Sequence, residues 1–295
     1  MHQDLIYDVG MHNGDDTAYY IHLGYRVVAI EANPQLVTRA VERFREHVRS
    51  GQLQILNVGI AEQEGELPFW ICEPVSEWSS FDRSIASRNG SAHYPITVRC
   101  RQFGSILEEF GIPYYLKIDI EGNDFLCVQE LSPDRLPRFI SVEAGSVQIV
   151  SLMAQRGFKR FKAISQINFI PIELPPSAEQ RLYERVQWMF SSHPLIRAFR
   201  QFGGRSWLHK RFRRHGNWTF PHGSSGPFGD ALPGRWLSHD EVISTLSAHA
   251  RAENIKSFLE CTRILFLGGC SRPHRLSNSK SSHLPMWSLA CFSPL

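Results

Sequence analysis

The chain is 295 residues long, 42% hydrophobic and carries a formal net charge of +3, enough to bury one large core or a core with a smaller lobe. Ordinary Gly and Pro contents argue against a disordered or collagen-like chain, and no run of about 18 apolar residues predicts a membrane span. The charge is unevenly placed: between Arg181 and Arg214 nine Lys and Arg face the single Glu184, which leaves the remainder mildly acidic.

The first element in chain order is an apolar run over residues 5–9, which reads as a buried strand ending at Gly10. Gly14 follows, and residues 16–23 read as a helix stopped by Gly24. Strand, glycine loop and helix N-terminus is the layout that lets a nucleotide-like ligand approach the backbone. The second strand, residues 26–30, ends in Glu31, where an acid can accept hydrogen bonds from a ribose diol. Asn33 caps the next helix with Pro34 at its first position, and Leu36, Val37, Ala40, Val41, Phe44 and Val48 share one helical face. Residues 54–58 form the third strand.

Residues 60–114 interrupt this rhythm, with paired strands at 66–72 and 93–100 and a short helix ended by Gly111. The clearest strand, residues 114–120, leads into Glu121-Gly122 and a helix over 123–131. A strand at 139–143, a helix at 147–156 and a strand at 158–164 follow. Alternating strands and helices at this spacing predict a mostly parallel sheet covered on both faces. Ligands of such sheets sit at the carboxyl ends of strands, where Gly10, Glu31, Asp119 and Glu143 all fall.

Beyond Pro171 the pattern changes. Ser177 to Gln180 and Ser238 to Glu241 are capping-box patterns, the first before a stripe of Leu182, Val186, Met189 and Phe190, the second before Val242, Ile243, Leu246 and Ala250. Residues 223–229 are loop sequence. The last forty residues are rich in Ser, Pro and His, with one short apolar run at 264–267, and are expected to be irregular. The six cysteines form no C-x-x-C pair, and no His cluster completes a zinc pattern. The N-terminus lacks a basic region followed by an apolar stretch, so the expectation is a reduced, cytoplasmic protein without a signal peptide.

Several blocks together resemble the FkbM family of methyltransferases. They are residues 8–14 with Thr17, 31–34, 57–61, 78–81, 116–122, 140–143, 161–166 and 223–229, in that order over roughly residues 5–245. The resemblance implies an α/β, Rossmann-like class I methyltransferase fold: a mostly parallel seven-stranded sheet with helices on both faces, plus a helical and loop C-terminal extension. It divides the chain into a cofactor-binding domain over 1–172, with the 60–114 insertion over the acceptor site, a basic and aromatic extension over 173–254, and an irregular tail over 255–295. The likeness ends near Asn254. It also implies S-adenosyl-L-methionine as cofactor and methyl transfer to a hydroxyl, the acceptors of many members being sugars, polysaccharides or polyketides.

On this reading Gly10 and Gly14 bring the backbone to the methionine part of the cofactor. Asp8 and Thr17 fix the loop, or Asp8 holds the amine. Glu31, with Asn33 beside it, takes the ribose, and Ile60 and Ala61 line the adenine pocket. A hydroxyl is a poor nucleophile at neutral pH, so a nearby base helps; the candidates are Asp119, Glu121 and Glu143, with His12 placed to reach the acceptor. Alternatively Asp119 binds the amine and Glu121 caps the following helix. Lys117 pairs with a carboxylate or contacts substrate, Ser79 and Ser80 belong to a wall over the acceptor, and no spacing demands a metal.

The partner expected is a small-molecule or carbohydrate acceptor rather than nucleic acid. The 181–214 segment fits a solvated helical face first and contact with an anionic surface second. Two other readings compete. A nicotinamide-dependent dehydrogenase wants G-x-G-x-x-G, where this loop has only Gly10 and Gly14; a non-catalytic module of the same fold that binds partners through its basic lobe would have no need of Gly10, Gly14, Glu31 and Asp119.

Overall fold

Strand β1 (His2–Val9) is buried from Leu5 onward, and apolar there except for Asp8, because both of its faces are covered. Leu5, Tyr7 and Val9 join a core with Phe103, Ile106 and Leu107, whereas Ile6 joins Tyr19, Tyr20 and Tyr115 on the opposite face. The computed structural model describes residues 1–143, 147–178, 180–182, 185, 213–252 and 262–267. Helix α1 (Asp15–His22) starts with two acids in its first turn, where the helix dipole favours negative charge, and leads to β2 (Arg26–Ile30).

Helix α2 (Pro34–Arg43) starts at Asn33, whose side chain accepts the Gln35 N–H at 3.0 Å. It stops at Phe44 (φ −108°), where α3 (Arg45–Arg49) sets off in a new direction. Leu36, Ala40 and Phe44 are buried, but Val41, expected on the same face, is 42% exposed, because it stands about 140° round the helix from Leu36. Strand β3 (Leu53–Leu56) follows.

The insertion forms a small sheet of β4 (Gly59–Ile60), β5 (Gly65–Cys72) and β6 (His93–Arg101) in the order β4-β6-β5. Its own core contains Ala61, Phe69, Ile71, Val98 and Cys100. Between β5 and β6 lie a 3-10 turn at Ser76–Trp78 and the short helix α4 (Arg83–Ala86).

Helix α5 (Phe103–Phe110) packs on β1, where the Tyr7 hydroxyl donates to the Gly111 carbonyl at 2.7 Å. The chain then returns to the sheet through β7 (Pro113–Ile118), α6 (Asp124–Gln129), β8 (Phe139–Glu143), α7 (Val147–Gln155) and β9 (Arg160–Ser165). After a two-stranded hairpin of β10 (Arg214–His215) and β11 (Trp218–Thr219) comes helix α8 (His239–Ala252). The predicted capping box opens α8: the Ser238 N–H donates to Glu241 at 2.7 Å, and the Glu241 N–H to the Ser238 hydroxyl at 3.4 Å. Val242 and Leu246 are buried as expected.

The main sheet has seven strands in the order β3-β2-β1-β7-β8-β12-β9, where β12 is Thr262–Leu267. The five strands from β3 to β8 are parallel, and β12 is antiparallel to both of its neighbours. The tail expected to be irregular therefore supplies a strand: the apolar run at 264–267 pairs with β8 and β9, far upstream in sequence. Strand order reverses beside β1, so Gly10 and Asp119 meet at the switch point where ligands of such sheets bind. Most of the basic 181–214 segment, and Val186, Met189 and Phe190 of the expected stripe, lie outside the described residues; Leu182 is exposed. Among the described residues no helix is long and apolar enough to cross a membrane.

Candidate active site

The loop after β1 turns at Gly10 (φ +81°), where a Cβ would stand 1.8 Å from the Asp119 carbonyl oxygen, so only glycine lets the ends of β1 and β7 come this close. Gly10 and Met11 donate their N–H groups to the Ile30 carbonyl. His12 follows in the left-handed region at φ +53°. Its backbone N–H donates to Glu31 Oε2 and that of Asn33 to Oε1, both at 2.8 Å. Burial pushes the Glu31 carboxyl up from its usual value, while these two N–H groups pull it down. A carboxylate has about four acceptor positions, so two bonds leave capacity for a diol. The Asn57 amide fixes the backbone beneath by donating to the Glu31 carbonyl at 2.9 Å.

Asp8 and Lys117 are register partners on adjacent strands and share a face of the sheet. Lys117 Nζ lies 3.0 Å from Asp8 Oδ1 and 3.9 Å from Asp119 Oδ2, and donates to the Gly10 carbonyl at 2.6 Å. The Thr17 hydroxyl donates to the other Asp8 oxygen at 2.6 Å. A buried ion pair offsets its desolvation only when further hydrogen bonds support it, as those of Thr17 to Asp8 and of Lys117 to Gly10 do here. The Asp119 side chain is 26% exposed.

Glu121 is also left-handed (φ +47°), and its carboxylate lies 3.5 Å from Arg88. Asp124 organises the turn from below, accepting the N–H groups of Ile120 at 3.3 Å and Gly122 at 3.4 Å. Burial first and the Asp119 charge second raise its carboxyl to about 6.

These ends open into a cavity of about 990 Å³, its open mouth included. One part is apolar, with Leu36, Val58, Ile60, Phe69 and Phe81. Elsewhere the lining is acidic: Asp15, Asp16, Glu31, Glu77, Asp119 and Glu121, with Lys117 as the lone Lys or Arg among them. Among the described residues no three His, Cys, Asp or Glu side chains are grouped to hold a metal ion.

Two distant segments complete the walls. From the small sheet, Ser76 Oγ lies 2.7 Å from His12 Nε2, and the Ser80 hydroxyl donates to the Glu121 carbonyl at 2.6 Å. From the C-terminal part, His222, Gly223 and Ser224 reach the cavity, and Ser225 donates its N–H and hydroxyl to Asp16 at 2.5–3.0 Å. Arg213 holds that loop with five hydrogen bonds to the carbonyls of Gln166, Ile167, Phe220, Pro221 and Ser224.

Residues 8–160, just over half of the chain, match the methyltransferase FkbM domain. The chain belongs to the FkbM methyltransferase family. Among solved structures, the precorrin-6y C5,15-methyltransferase of Geobacter metallireducens GS-15 is similar at 12% identity over 56% of this chain and 70% of that one, with a TM-score of 0.32. No curated protein matches the chain.

Within this FkbM domain the predicted site residues separate into two groups. Gly10, His12, Glu31, Asp119 and Glu121 come together on the cavity wall, as do Lys117, Ile60 and Ser79. The others fall outside it. Gly14 sits at the start of α1 with φ +80°, and a Cβ there would meet the Phe44 ring at 2.6 Å, so its glycine serves packing and the turn. Asp8 and Thr17 lie fully buried beneath the loop, which favours the loop-fixing role over the amine-holding one. Asn33 spends its side chain on the α2 cap, and Ala61 packs in the small sheet. Glu143 ends β8 in register with Arg263 of β12, off the lining. Capping of the turn before α6 belongs to Asp124, not Glu121.

Residues missed from sequence include Asp16, Ser76, Glu77, Asp124, Arg213 and the 222–225 loop. Asp124, three residues after Glu121, was findable as a helix-start acid. Ser225 meets Asp16 across 209 positions, and no local signal announces that.

Proposed function

We propose that this methyltransferase uses S-adenosyl-L-methionine to methylate a hydroxyl oxygen, on a sugar, a polysaccharide precursor or a related natural product. The observation that carries the cofactor reading is Glu31. It is a buried carboxylate in the cavity wall, anchored by two backbone N–H groups, with acceptor capacity left for a ribose diol. The neighbouring groups fit the rest of that molecule. Leu36, Val58, Ile60, Phe69 and Phe81 offer an apolar slot for adenine, and the Gly10–Asn13 loop lines the space left for the amino-acid end.

When bound, the cofactor supplies a methyl group already activated by a sulfonium. What the chain adds is placement and proton handling. Asp119 is the base we assign: it is partly exposed to the cavity, and Lys117 holds its strand end against the Gly10 carbonyl. Glu121, engaged with Arg88, shapes the acceptor side. The polar lining from Ser76, Glu77 and Ser79 suits an acceptor rich in hydroxyls. A cytoplasmic location agrees with the buried free thiols of Cys72, Cys100 and Cys127.

The test combines a labelled methyl donor with panels of saccharides and of amines. Label appearing in a saccharide, and lost in Asp119→Asn with donor affinity kept, supports the reading. Label appearing only in amines contradicts O-methylation.

A further inference from the structure

The cavity wall holds two non-glycine residues in left-handed backbone, His12 at φ +53° and Glu121 at φ +47°. They stand at the ends of β1 and β7, on either side of the switch point. Side chains with a Cβ avoid this region unless surrounding contacts hold them there. Both residues are held by the same short segment of the small sheet. Ser76 Oγ lies 2.7 Å from His12 Nε2. The Ser80 hydroxyl donates to the Glu121 carbonyl at 2.6 Å, while its oxygen accepts the Asp82 N–H at 3.0 Å. Ser80 is 1% exposed and forms a bridge with Trp70 of β5, so its position is fixed from behind.

We propose that Ser76 and Ser80 are positioning residues, which set the loops after β1 and β7 from the small sheet and thereby hold the ligand-binding carboxylates in place. The proposal rests on the cofactor reading above. The route from Ser76 to Glu31 is short. Ser76 holds the His12 ring, and the backbone N–H of His12, oriented by the left-handed turn, donates to Glu31 Oε2 at 2.8 Å. Ser76 thus acts on Glu31 through His12. Ser80 acts in the same way on the turn that carries Asp119 and Glu121. It grips that turn from the small-sheet side while Asp124 accepts the N–H groups of Ile120 and Gly122.

The readout is calorimetric affinity for S-adenosylhomocysteine, with thermal midpoints recorded in parallel. Ser76→Ala is expected to weaken binding about 3- to 10-fold and Ser76→Thr, which keeps the hydroxyl, to restore it, with no matching change in thermal midpoint because Ser76 is only half-buried. The sharper comparison is at position 12. Glycine adopts φ +53° freely, so His12→Gly keeps the backbone N–H on Glu31 at little conformational cost, whereas His12→Ala keeps the strain and loses its tether. His12→Ala should therefore bind more weakly than His12→Gly, and Ser76→Ala should add nothing in the His12→Gly background. If the His12 side chain served only as a ligand contact, the two variants would lose equally, or the more flexible glycine would lose more, and either result overturns the proposal. Unchanged binding by Ser76→Ala, with wild type binding normally, overturns it as well. A wild-type protein that takes up no S-adenosylhomocysteine overturns the cofactor reading and this proposal with it.

Discussion

Along one wall of the cavity Gly10, His12, Glu31, Val58 and Ile60 come from the ends of three successive strands. Along the other, Ser76, Ser79, Phe81, His222 and Ser224 come from two segments that meet only in the folded chain. The first wall is set largely by backbone: a glycine contact, N–H groups on a carboxylate and a capped helix. The second is set by side chains reaching across elements, such as Ser225 on Asp16 and Arg213 on five carbonyls. Substitutions in the first wall should therefore remove most ligand binding, and those in the second should weaken it less, through lost placement or lost stability.

The largest effect is expected at Gly10. A Cβ there meets the Asp119 carbonyl at 1.8 Å, so Gly10→Ala should abolish measurable S-adenosylhomocysteine binding and cost on the order of 2–4 kcal/mol of stability by urea denaturation. Gly14→Ala, which presses on the Phe44 ring instead, should lose stability yet still bind. Equal loss of binding in both would erase the distinction between them. Next in size is Glu31→Ala. Hydrogen bonds to a charged group contribute about 1.5–3 kcal/mol, so affinity should drop roughly 10- to 100-fold. An unchanged affinity would remove Glu31 from the ribose role.

On the other wall, Ser225→Ala strips the N–H-supported hydroxyl from buried Asp16. Chemical denaturation should show a loss of about 1–2 kcal/mol, with cofactor affinity changed by less than about threefold. A larger affinity loss would mean that this loop contacts the ligand directly.

The smallest effect concerns Asp124. Its folded-state carboxyl titrates at about 6, above the ordinary 3.8, so the folded chain holds an extra proton between those values. The stability from this group is then fully present below the ordinary 3.8 and lost as pH rises through 6, roughly 2 kcal/mol of it between pH 4.5 and pH 7.5. Asp124→Asn should remove that component, narrowing the stability difference between pH 4.5 and pH 7.5. An unaltered difference would contradict the buried, raised carboxyl.

The same contrast explains what could be read from the residues alone. Strand β1, the Asn33 cap, Glu31 and the Asp119–Gly122 turn are local patterns, and each lies where its spacing predicts. Gly14 reads as a ligand-loop glycine because glycine signals a special backbone without saying whether a ligand or a phenylalanine ring approaches it. Glu143 reads as a site residue because a strand end is visible in sequence, whereas the strand it pairs with comes from Thr262–Leu267. That strand escaped notice because four apolar residues in a Ser- and Pro-rich tail give no period, and its partners lie far upstream. Arg213 looked like part of a solvated basic face, yet it is 3% exposed and bonded to carbonyls. Charge counts do not distinguish the two cases.

The central claim is that the cavity beside Gly10 and Glu31 takes S-adenosyl-L-methionine. Calorimetric titration of the purified protein with that compound and, separately, with NAD⁺ tests it most directly. The account predicts saturable, near-stoichiometric binding of S-adenosyl-L-methionine, weakened by Glu31→Ala, and no comparable heat with NAD⁺. Binding of NAD⁺ alone, or of neither compound, would contradict it.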